Sequence, residues 1–300
     1  MQQELTKNQF LILEAILSSE KAQSQRQISE NSNLSLGTVN RTLKQLSDLG
    51  YTDKCSITKA GTEAMEPYRV KRAIFLAAGF GTRLVPITFN TPKPLVRVHG
   101  VRIIDRLIDA CLEAGINEII IVRGYLGELF DQLLYKYPMI RFLENPLFNE
   151  ANNISSALVA RYMLSNAYVF EADLLISNPG IIKKYHYRSD FLAIKKERSD
   201  DWCFQVKDRI IQEEKIGGIG NDIWQMVGIS YWNAADGHKL SQDIADVYAS
   251  PGGKERYWEQ VPLVYRKEHY TVEIKECFDE DIVEIDTYKE LKAIDKTYDI

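Results

Sequence analysis

The chain has 300 residues, of which 45% are hydrophobic and 26% charged, and its formal net charge at pH 7 is −5. This composition is typical of a water-soluble protein with one large or two ordinary domains, and the mild negative charge argues against nucleic acid or an anionic membrane as its main partner. Four scattered cysteines, a polar N-terminus and apolar runs shorter than the roughly 20 residues of a membrane helix predict a reduced, cytoplasmic protein.

The first seventy residues predict a small helical domain. Three helices are predicted, over 6–18 with Thr6 as its N-cap, over 25–31, and over 36–49 with Ser35 as its N-cap and Gly50 as its end; apolar residues recur at helical spacing in the first and the third. Residues 51–58 then predict a short hairpin, and 59–65 a last short helix. Three short helices followed by a hairpin indicate a helix-turn-helix with a wing.

This pattern, including the closing phrase Ile57-Thr58-x-x-Gly61-x-x-Ala64, resembles the winged helix-turn-helix of bacterial regulators. The resemblance implies a winged helix over residues 1–68. Residues 1–69 carry eight basic and eight acidic side chains, so the domain is neutral. The polar side of its third helix carries four residues that could meet a DNA major groove, Thr38, Asn40, Arg41 and Lys44. The alternative is a solvated face on a domain used for dimerisation or packing, so DNA binding and a homodimer both stay open.

Residues 69–300 predict a second domain of the α/β class. Strands and helices alternate over five segments: strand 72–78, helix 103–114, strand 118–122, helix 126–135 and strand 140–144. This alternation is typical of a mostly parallel sheet, in which ligands bind at the carboxyl ends of the strands.

A glycine-containing turn follows the first of these strands. The turn reads Leu76-Ala77-Ala78-Gly79-Phe80-Gly81-Thr82-Arg83-Leu84, and Thr91-Pro92-Lys93-Pro94-Leu95 follows it. Glycine lets backbone N–H groups point at an anion, and Arg83 and Lys93 add positive charge. The turn therefore predicts a nucleoside triphosphate site with contacts from Ala78, Gly79, Gly81, Thr82 and Arg83.

These two motifs closely resemble the signature of the nucleotidyltransferases that make nucleotide-activated sugars and alcohols. Their spacing differs from those of the phosphate loop and of the dinucleotide-binding fingerprint. The resemblance implies a Rossmann-like, GT-A-like sheet sandwiched by helices, and it implies nucleotidyl transfer as the reaction.

An amide-rich stretch over residues 144–158 precedes a predicted helix. Asn145, Asn152 and Asn153 offer the donors and acceptors that would read the edge of a pyrimidine, and Ser155 is expected to cap the helix. Turn formation and capping are the alternative roles for such residues. The Asn-Asn-x-x-Ser block resembles the corresponding loop of choline-phosphate cytidylyltransferases, which implies CTP as the nucleotide.

Two further strands end in acids that could hold Mg2+. Strand 167–170 leads into Glu171-Ala172-Asp173, and the resemblance assigns the metal to Asp173, with Glu171 in a supporting position. Residues 282–286 resemble the family's terminal Glu-Ile-Asp element and imply Asp286 as the second metal ligand. The alternative is that Asp286 caps the helix that begins at Thr287.

A strand over residues 191–196 ends in Lys195 and Lys196, and we expect both cations to reach the same face. Lys196 is the stronger candidate to hold the acceptor's phosphate. A solvated lysine pair is the alternative.

The acceptor site is predicted from aromatic residues. All four tryptophans lie between residues 202 and 258, and a quaternary ammonium is held by aromatic faces and nearby acids. Packing in a core or a dimer interface is the alternative for each ring. Trp202 and the Tyr257-Trp258-Glu259 phrase resemble elements of bacterial CTP:phosphocholine cytidylyltransferases.

The resemblance implies Mg2+-dependent transfer of CMP from CTP to phosphocholine, which gives CDP-choline and pyrophosphate. Arg83, Lys93 and Lys196 would act in catalysis, and Trp202, Tyr257, Trp258, Glu259 and Lys195 would bind the acceptor. The same chemistry on 2-aminoethylphosphonate or a sugar-1-phosphate is one alternative. A transcriptional regulator with a ligand-sensing, transferase-like domain is another.

Overall fold

The computed structural model describes residues 4–19 and 21–299, apart from the side chain of residue 221. The described chain divides into two compact units, one formed by the residues up to Arg69 with Tyr185–Tyr187 and the other by Val70–Lys184 and the chain from Arg188 onwards. The boundary between residues 68 and 69 stays a prediction, and residues 1–3, 20 and 300 of the predicted domains lie outside the described residues. None of the helices described is both long and apolar enough to cross a membrane.

The first unit contains the predicted helices and hairpin. Its elements are α1 (Lys7–Leu17), α2 (Gln25–Ser32), α3 (Leu36–Asp48), β1 (Thr52–Asp53), β2 (Ser56–Ile57) and α4 (Lys59–Met65). Thr6 caps α1 as predicted, because its hydroxyl accepts the Gln9 N–H while the Gln9 side chain accepts the Thr6 N–H. Ser35 caps α3 by accepting the Thr38 N–H. The inner faces of α1, α2 and α3 bury one apolar core, whereas Asn40, Arg41 and Lys44 are exposed.

The second unit is a mixed α/β domain. Its elements are β3 (Arg72–Ala77), β4 (Arg97–Val98), β5 (Val101–Arg102), α5 (Ile103–Glu113), β6 (Glu118–Arg123), β7 (Arg141–Glu144), α6 (Ile154–Ala160), β8 (Ala167–Glu171), β9 (Leu174–Ile176), β10 (Asp190–Lys207), β11 (Ile210–Trp232), α7 (Ala234–Ala249), β12 (Glu273–Cys277), β13 (Ile282–Glu284) and α8 (Tyr288–Ile294).

In the described part of this unit, seven strands form one sheet. The strands β7, β6, β3 and β8 are mutually parallel, β11 is antiparallel to β8 and to β10, and β10 is parallel to β12. Two apolar clusters cover its faces, one including residues of α5 and the other residues of α6 and α7. Because β3 and β8 are parallel neighbours, with Leu76 opposite Glu171, the glycine turn and the Glu171–Asp173 acids lie at the same edge.

Two elements differ from the predictions. Residues Gly127–Tyr135 form a 3-10 helix instead of an α-helix, and it begins after Leu126 in the left-handed region. The Arg123 guanidinium donates to the Gly127 carbonyl at 2.9 Å, so that carbonyl has a partner outside the helix. The strand predicted over 191–196 continues to residue 207, because β10 forms a hairpin with β11 through a two-residue turn whose φ angles are both positive.

Candidate active site

A cavity of about 660 Å³ opens at the carboxyl ends of β3 and β8. All nine predicted nucleotide contacts line it: Ala78, Gly79, Gly81, Thr82, Arg83, Asn145, Asn152, Asn153 and Ser155. The other predicted site residues on its walls are Lys93, Asp173, Trp202, Tyr257, Glu259 and Asp286. The chain thus gathers segments far apart in sequence into one site, where most of the predicted residues meet.

The glycine turn packs directly on the lysine that follows it. Gly81 has a φ of +62°, and a Cβ there would lie 3.0 Å from Cβ of Lys93 and 3.1 Å from Cγ2 of Thr88. The Thr88 hydroxyl donates to the Gly81 carbonyl at 2.9 Å. Glycine is therefore required at this position both for its backbone conformation and for the close approach.

Lys93 joins the two predicted metal acids. Its Nζ lies 2.7 Å from Oδ2 of Asp173 and 3.0 Å from Oδ1 of Asp286, although the three residues are far apart in the chain. Burial alone lowers the pKa of Lys93, but the two carboxylates outweigh burial and raise it. Lys93 is therefore a fixed cation between two fixed anions.

Asp286 does not cap the helix that follows it. Thr287 is the N-cap of α8, because its hydroxyl accepts the Glu290 N–H. The Asp286 carboxylate instead accepts from Arg83 at 2.5 Å and from Lys93. Burial raises the pKa of Asp286, but a hydrogen bond with Glu284 and the charge of Lys93 outweigh it, so the pKa is lowered.

Carboxylate oxygens of Glu171, Asp173 and Glu284 lie within 4.8 Å of one another. One oxygen of Asp173 is buried and has no hydrogen-bond partner among the described residues. Burial, followed by neighbouring negative charge, raises the pKa of Glu284 to about 9 and that of Glu171 well above its usual value. Such a set of oxygen donors suits a hard divalent cation.

The predicted amides are anchored by hydrogen bonds on the cavity wall. Asn145 donates to the hydroxyls of Ser155 and Ser156, both at 3.0 Å, and Asn153 accepts the Trp258 N–H at 2.8 Å. The prediction that Ser155 caps the helix is wrong. Ser155 lies inside α6, and its hydroxyl donates to the Asn152 carbonyl at 2.8 Å.

An aromatic pair also lines the cavity. The rings of Trp202 and Tyr257 meet edge to face with centroids 5.6 Å apart, and Asp201 and Glu259 lie on the same stretch of wall. Glu259 is only 3% exposed, and Asn153 donates to it at 3.4 Å. This part of the lining therefore combines aromatic faces with negative charge.

Three predicted residues lie elsewhere. Trp258 is 3% exposed and packs in the core against Phe191 and Trp232, so it is a structural residue. The expectation that Lys195 and Lys196 reach one face is wrong, because successive residues of a strand point to opposite faces. Lys195 lies 5.7 Å from the Trp224 ring, and Lys196 pairs with Asp279.

Some cavity residues carried no role or only a minor one in the sequence-based prediction. Glu284 lies in the strand motif from which Asp286 was predicted, and Glu171 lies in the motif from which Asp173 was predicted. The positions of Glu284 and Glu171 alone could therefore have indicated both acids. Gly228 on β11 is a different case. A Cβ at Gly228 would lie 2.4 Å from Oε2 of Glu171, so glycine leaves the room that this buried acid occupies.

Comparisons with known proteins identify relatives of both parts of the chain. Residues 72–137 match the family model described as nucleotidyl transferase, and residues 5–51 match the one described as winged helix-turn-helix DNA-binding. The chain is 37% identical to a 2-aminoethylphosphonate cytidylyltransferase of Lancefieldella rimae, over 75% of this chain and 92% of that protein. It is 34% identical to a choline-phosphate cytidylyltransferase of Streptococcus pneumoniae, over 75% and 97%.

A solved structure extends the comparison to three dimensions. The CTP:phosphocholine cytidylyltransferase from Streptococcus pneumoniae superposes with a TM-score of 0.69 at 31% identity, covering 76% of this chain and 99% of that one. The glycine turn, the lysine after it and the acids at the strand ends thus occur on a scaffold shared with these enzymes. The chain therefore belongs to the nucleotidyl transferase family and carries an N-terminal winged helix-turn-helix.

Proposed function

We propose that this protein transfers CMP from CTP to a small phosphoryl or phosphonyl acceptor with a cationic end, and that phosphocholine is its acceptor. One observation carries the proposal. A single cavity is lined by two sets of residues, first the glycine turn, Arg83, Lys93 and the strand-end acids, and second the Trp202–Tyr257 pair and Glu259. The first set suits a triphosphate, and the second set suits a cation held by aromatic faces.

The acids at the strand ends fit Mg2+. Oδ1 of Asp173 is buried without a partner among the described residues, and carboxylate oxygens of Glu171 and Glu284 lie within 4.8 Å of an Asp173 oxygen. Asp173 and Asp286 would hold the ion, and Glu171 and Glu284 are close enough to contribute. When bound, Mg2+ would neutralise charge on the triphosphate.

The residues of the chain would act by positioning and by charge. An oxygen of the acceptor's phosphate forms the new bond to the α-phosphorus while the bond to the β-phosphate oxygen breaks, and pyrophosphate leaves. That oxygen is already ionised at neutral pH, so no side chain needs to remove a proton. Arg83 and Lys93 would bind the phosphates and stabilise the charge that develops on them.

The base would be read by the amides of the 144–158 segment. Asn145 is 2% exposed and is held by two serine hydroxyls and the Leu147 N–H, so its position on the wall is well defined. Because both N–H groups of Asn145 are used on the serines, one lone pair of its oxygen is left that could accept from the amino group of cytosine.

A second acceptor, 2-aminoethylphosphonate, is favoured by the relative from Lancefieldella rimae at 37% identity. It also carries a cationic end, so acids and aromatic faces would suit it as well. The sugar-1-phosphate alternative has no such charge, and the aromatic and acidic wall offers it little.

The test is pyrophosphate release by the purified protein with Mg2+ and CTP, comparing phosphocholine, 2-aminoethylphosphonate and glucose-1-phosphate at equal concentration. We expect turnover with phosphocholine to exceed that with glucose-1-phosphate by at least about 100-fold. Turnover with 2-aminoethylphosphonate alone would support the proposed cytidylyl transfer and would mean that 2-aminoethylphosphonate, and not phosphocholine, is the acceptor. No turnover with any of the three would reject the transferase and favour the sensor.

A second candidate function is DNA binding by the N-terminal unit. Asn40, Arg41 and Lys44 are exposed on α3, and this segment matches the winged helix-turn-helix model. We expect the full chain to bind duplex DNA with an affinity that falls with salt and that weakens in R41A/K44A, measured by fluorescence anisotropy. Binding that does not depend on salt, or that is unchanged in R41A/K44A, would mean that the exposed face of α3 is a solvated surface and does not bind DNA. A DNA shift that depends on the ligand and survives in D173A would favour the regulator.

A further inference from the structure

Glu214 on β11 carries a buried carboxylate with no partner. Both of its oxygens are shielded from solvent, and neither accepts a hydrogen bond within the described residues. An uncompensated carboxylate in such surroundings destabilises the folded protein, and burial together with the charge of Glu259 raises its pKa to about 8. A residue of this kind needs an explanation beyond packing.

The hairpin of β10 and β11 places Glu214 on the same face as an aromatic residue of the cavity. Glu214 lies opposite Phe204 and Ile216 lies opposite Trp202 in the antiparallel register. Residues two apart on a strand share a face, so Trp202, Phe204 and Glu214 are on one side of the hairpin. The Glu214 side chain therefore lies on the face of the hairpin that carries Trp202.

The nearest basic residue on this strand does not neutralise Glu214. Lys215 is its direct neighbour and so points to the other face, where it donates to the Gln205 side chain at 2.8 Å. Glu213 is on that other face as well, accepting from Gln205 at 3.0 Å. The acid whose charge acts on Glu214 is Glu259, which lines the cavity and whose own pKa is raised by burial to about 7.

We infer that Glu214 is a specificity-determining residue that acts together with Glu259, and that this pair of carboxylates selects an acceptor with a positively charged end. The inference rests on the proposed transferase function. Two buried carboxylates repel each other, and a cation against the Trp202–Tyr257 pair relieves that repulsion. A quaternary ammonium has no N–H to donate, so a carboxylate behind the aromatic wall acts on it through its field alone.

The experiment compares two acceptors of the same shape and different charge. Phosphocholine carries a quaternary ammonium, and 3,3-dimethylbutyl phosphate replaces the nitrogen with carbon and so has no charge there. The quantity measured is the ratio of kcat/KM for the two acceptors with saturating CTP and Mg2+ at pH 9, where Glu214 and Glu259 are both ionised, in the wild type, in E214Q and in E213Q. E213Q is the matched control, because it removes the same charge one residue away on the other face of the hairpin.

We expect E214Q to reduce the preference for phosphocholine about tenfold, through a higher KM for phosphocholine at unchanged kcat. The KM for 3,3-dimethylbutyl phosphate should stay the same, and E213Q should keep the wild-type ratio. E214D should restore part of the preference, since it returns the charge. A thermal melt of each variant verifies that it is folded.

Two outcomes would overturn the inference. An unchanged ratio in E214Q would mean that the Glu214 charge does not reach the acceptor. An equal loss with both acceptors would mean that Glu214 has a structural role. Failure of the proposed function has a different signature, because the wild type would then release no pyrophosphate with any cationic acceptor, and the inference would fall with it.

Discussion

The two ends of the cavity handle charge in opposite ways. At the triphosphate end, Arg83 and Lys93 pair with Asp173 and Asp286 at distances between 2.5 and 3.0 Å, while Glu171 and Glu284 beside them have raised pKa values. At the acceptor end, Glu259 lies beside the aromatic pair, and the basic residues among the described cavity lining are Arg83 and Lys93, both at the other end. The triphosphate end thus has ion pairs among its acids, whereas Glu259 has no ion-pair partner among the described residues.

This difference shows how one site can select two ligands by charge. Paired charges keep the triphosphate end stable without a ligand, and the pairs can be exchanged for contacts with phosphates. Unpaired buried acids destabilise the folded protein until a cation arrives. The acceptor end therefore trades stability for selectivity, which is common at functional sites.

The largest expected effect on turnover comes from removing the Asp173 carboxylate at the triphosphate end. We expect D173N to lower turnover by about 1000-fold or more, because the change removes a carboxylate that would hold Mg2+. Pyrophosphate release at saturating CTP measures the loss. The matched control is D279N, which removes an exposed acid paired with Lys196 outside the cavity. Equal activity in D173N and D279N would contradict the metal assignment.

A substitution of Lys93 tests the contribution of a cation at the same triphosphate end. We expect K93M to lower turnover about 100-fold, because a cation that would stabilise the phosphates is lost. The change also leaves Asp173 and Asp286 without their shared partner, so the thermal midpoint in metal-free buffer should fall. Wild-type turnover in a folded K93M would count against a role for Lys93 in the reaction.

Substitutions of two tryptophans distinguish a residue of the acceptor site from a residue of the core. We expect W202A to raise the KM for the acceptor about tenfold with little change in stability, because Trp202 lines the cavity. W258A should instead lower the free energy of unfolding by about 3–5 kcal/mol, because Trp258 is buried in the core. Urea denaturation and acceptor kinetics on both variants measure the two effects. The interpretation fails if the two variants behave alike.

The pH dependence of stability gives the smallest effect. Burial raises the pKa of Glu214 from 4.5 to about 8, so the folded state keeps a proton that the unfolded state releases. The free energy of unfolding should therefore fall as pH rises from about 4.5 to about 8. In E214Q this fall should be shallower, and E214Q should be more stable than the wild type at pH 8 by about 2 kcal/mol or more. Urea denaturation at pH 5 and pH 8 measures it, and parallel curves for the two proteins would contradict the burial of this charge.

Much of the fold and the triphosphate end could be predicted from local pattern. Thr6 and Ser35 cap their helices as predicted, because a cap depends on residues three positions apart. The glycine turn, Lys93 and the strand-end acids lie in one cavity because each of them follows or ends a recognisable element. The assigned roles in binding and catalysis stay predictions.

The acceptor end was predicted less well for a physical reason. Trp202 and Trp258 look alike in sequence, yet one lines the cavity and the other is buried in the core. The Lys195–Lys196 pair was misread because these successive residues of β10 point to opposite faces. Aromatic and charged residues on long strands have no local signal for the face that they occupy.

The sequence by itself determined the order of elements, the two kinds of domain and the family of the site, because these depend on short-range spacing and on motifs. Only the tertiary structure decided which acids are buried and which cations pair with them. The register of the β10–β11 hairpin places Glu214 on the face of Trp202, and Glu171 is accommodated because Gly228 has no side chain. Burial and pairing are properties of the packed chain, since they depend on contacts between residues far apart in sequence.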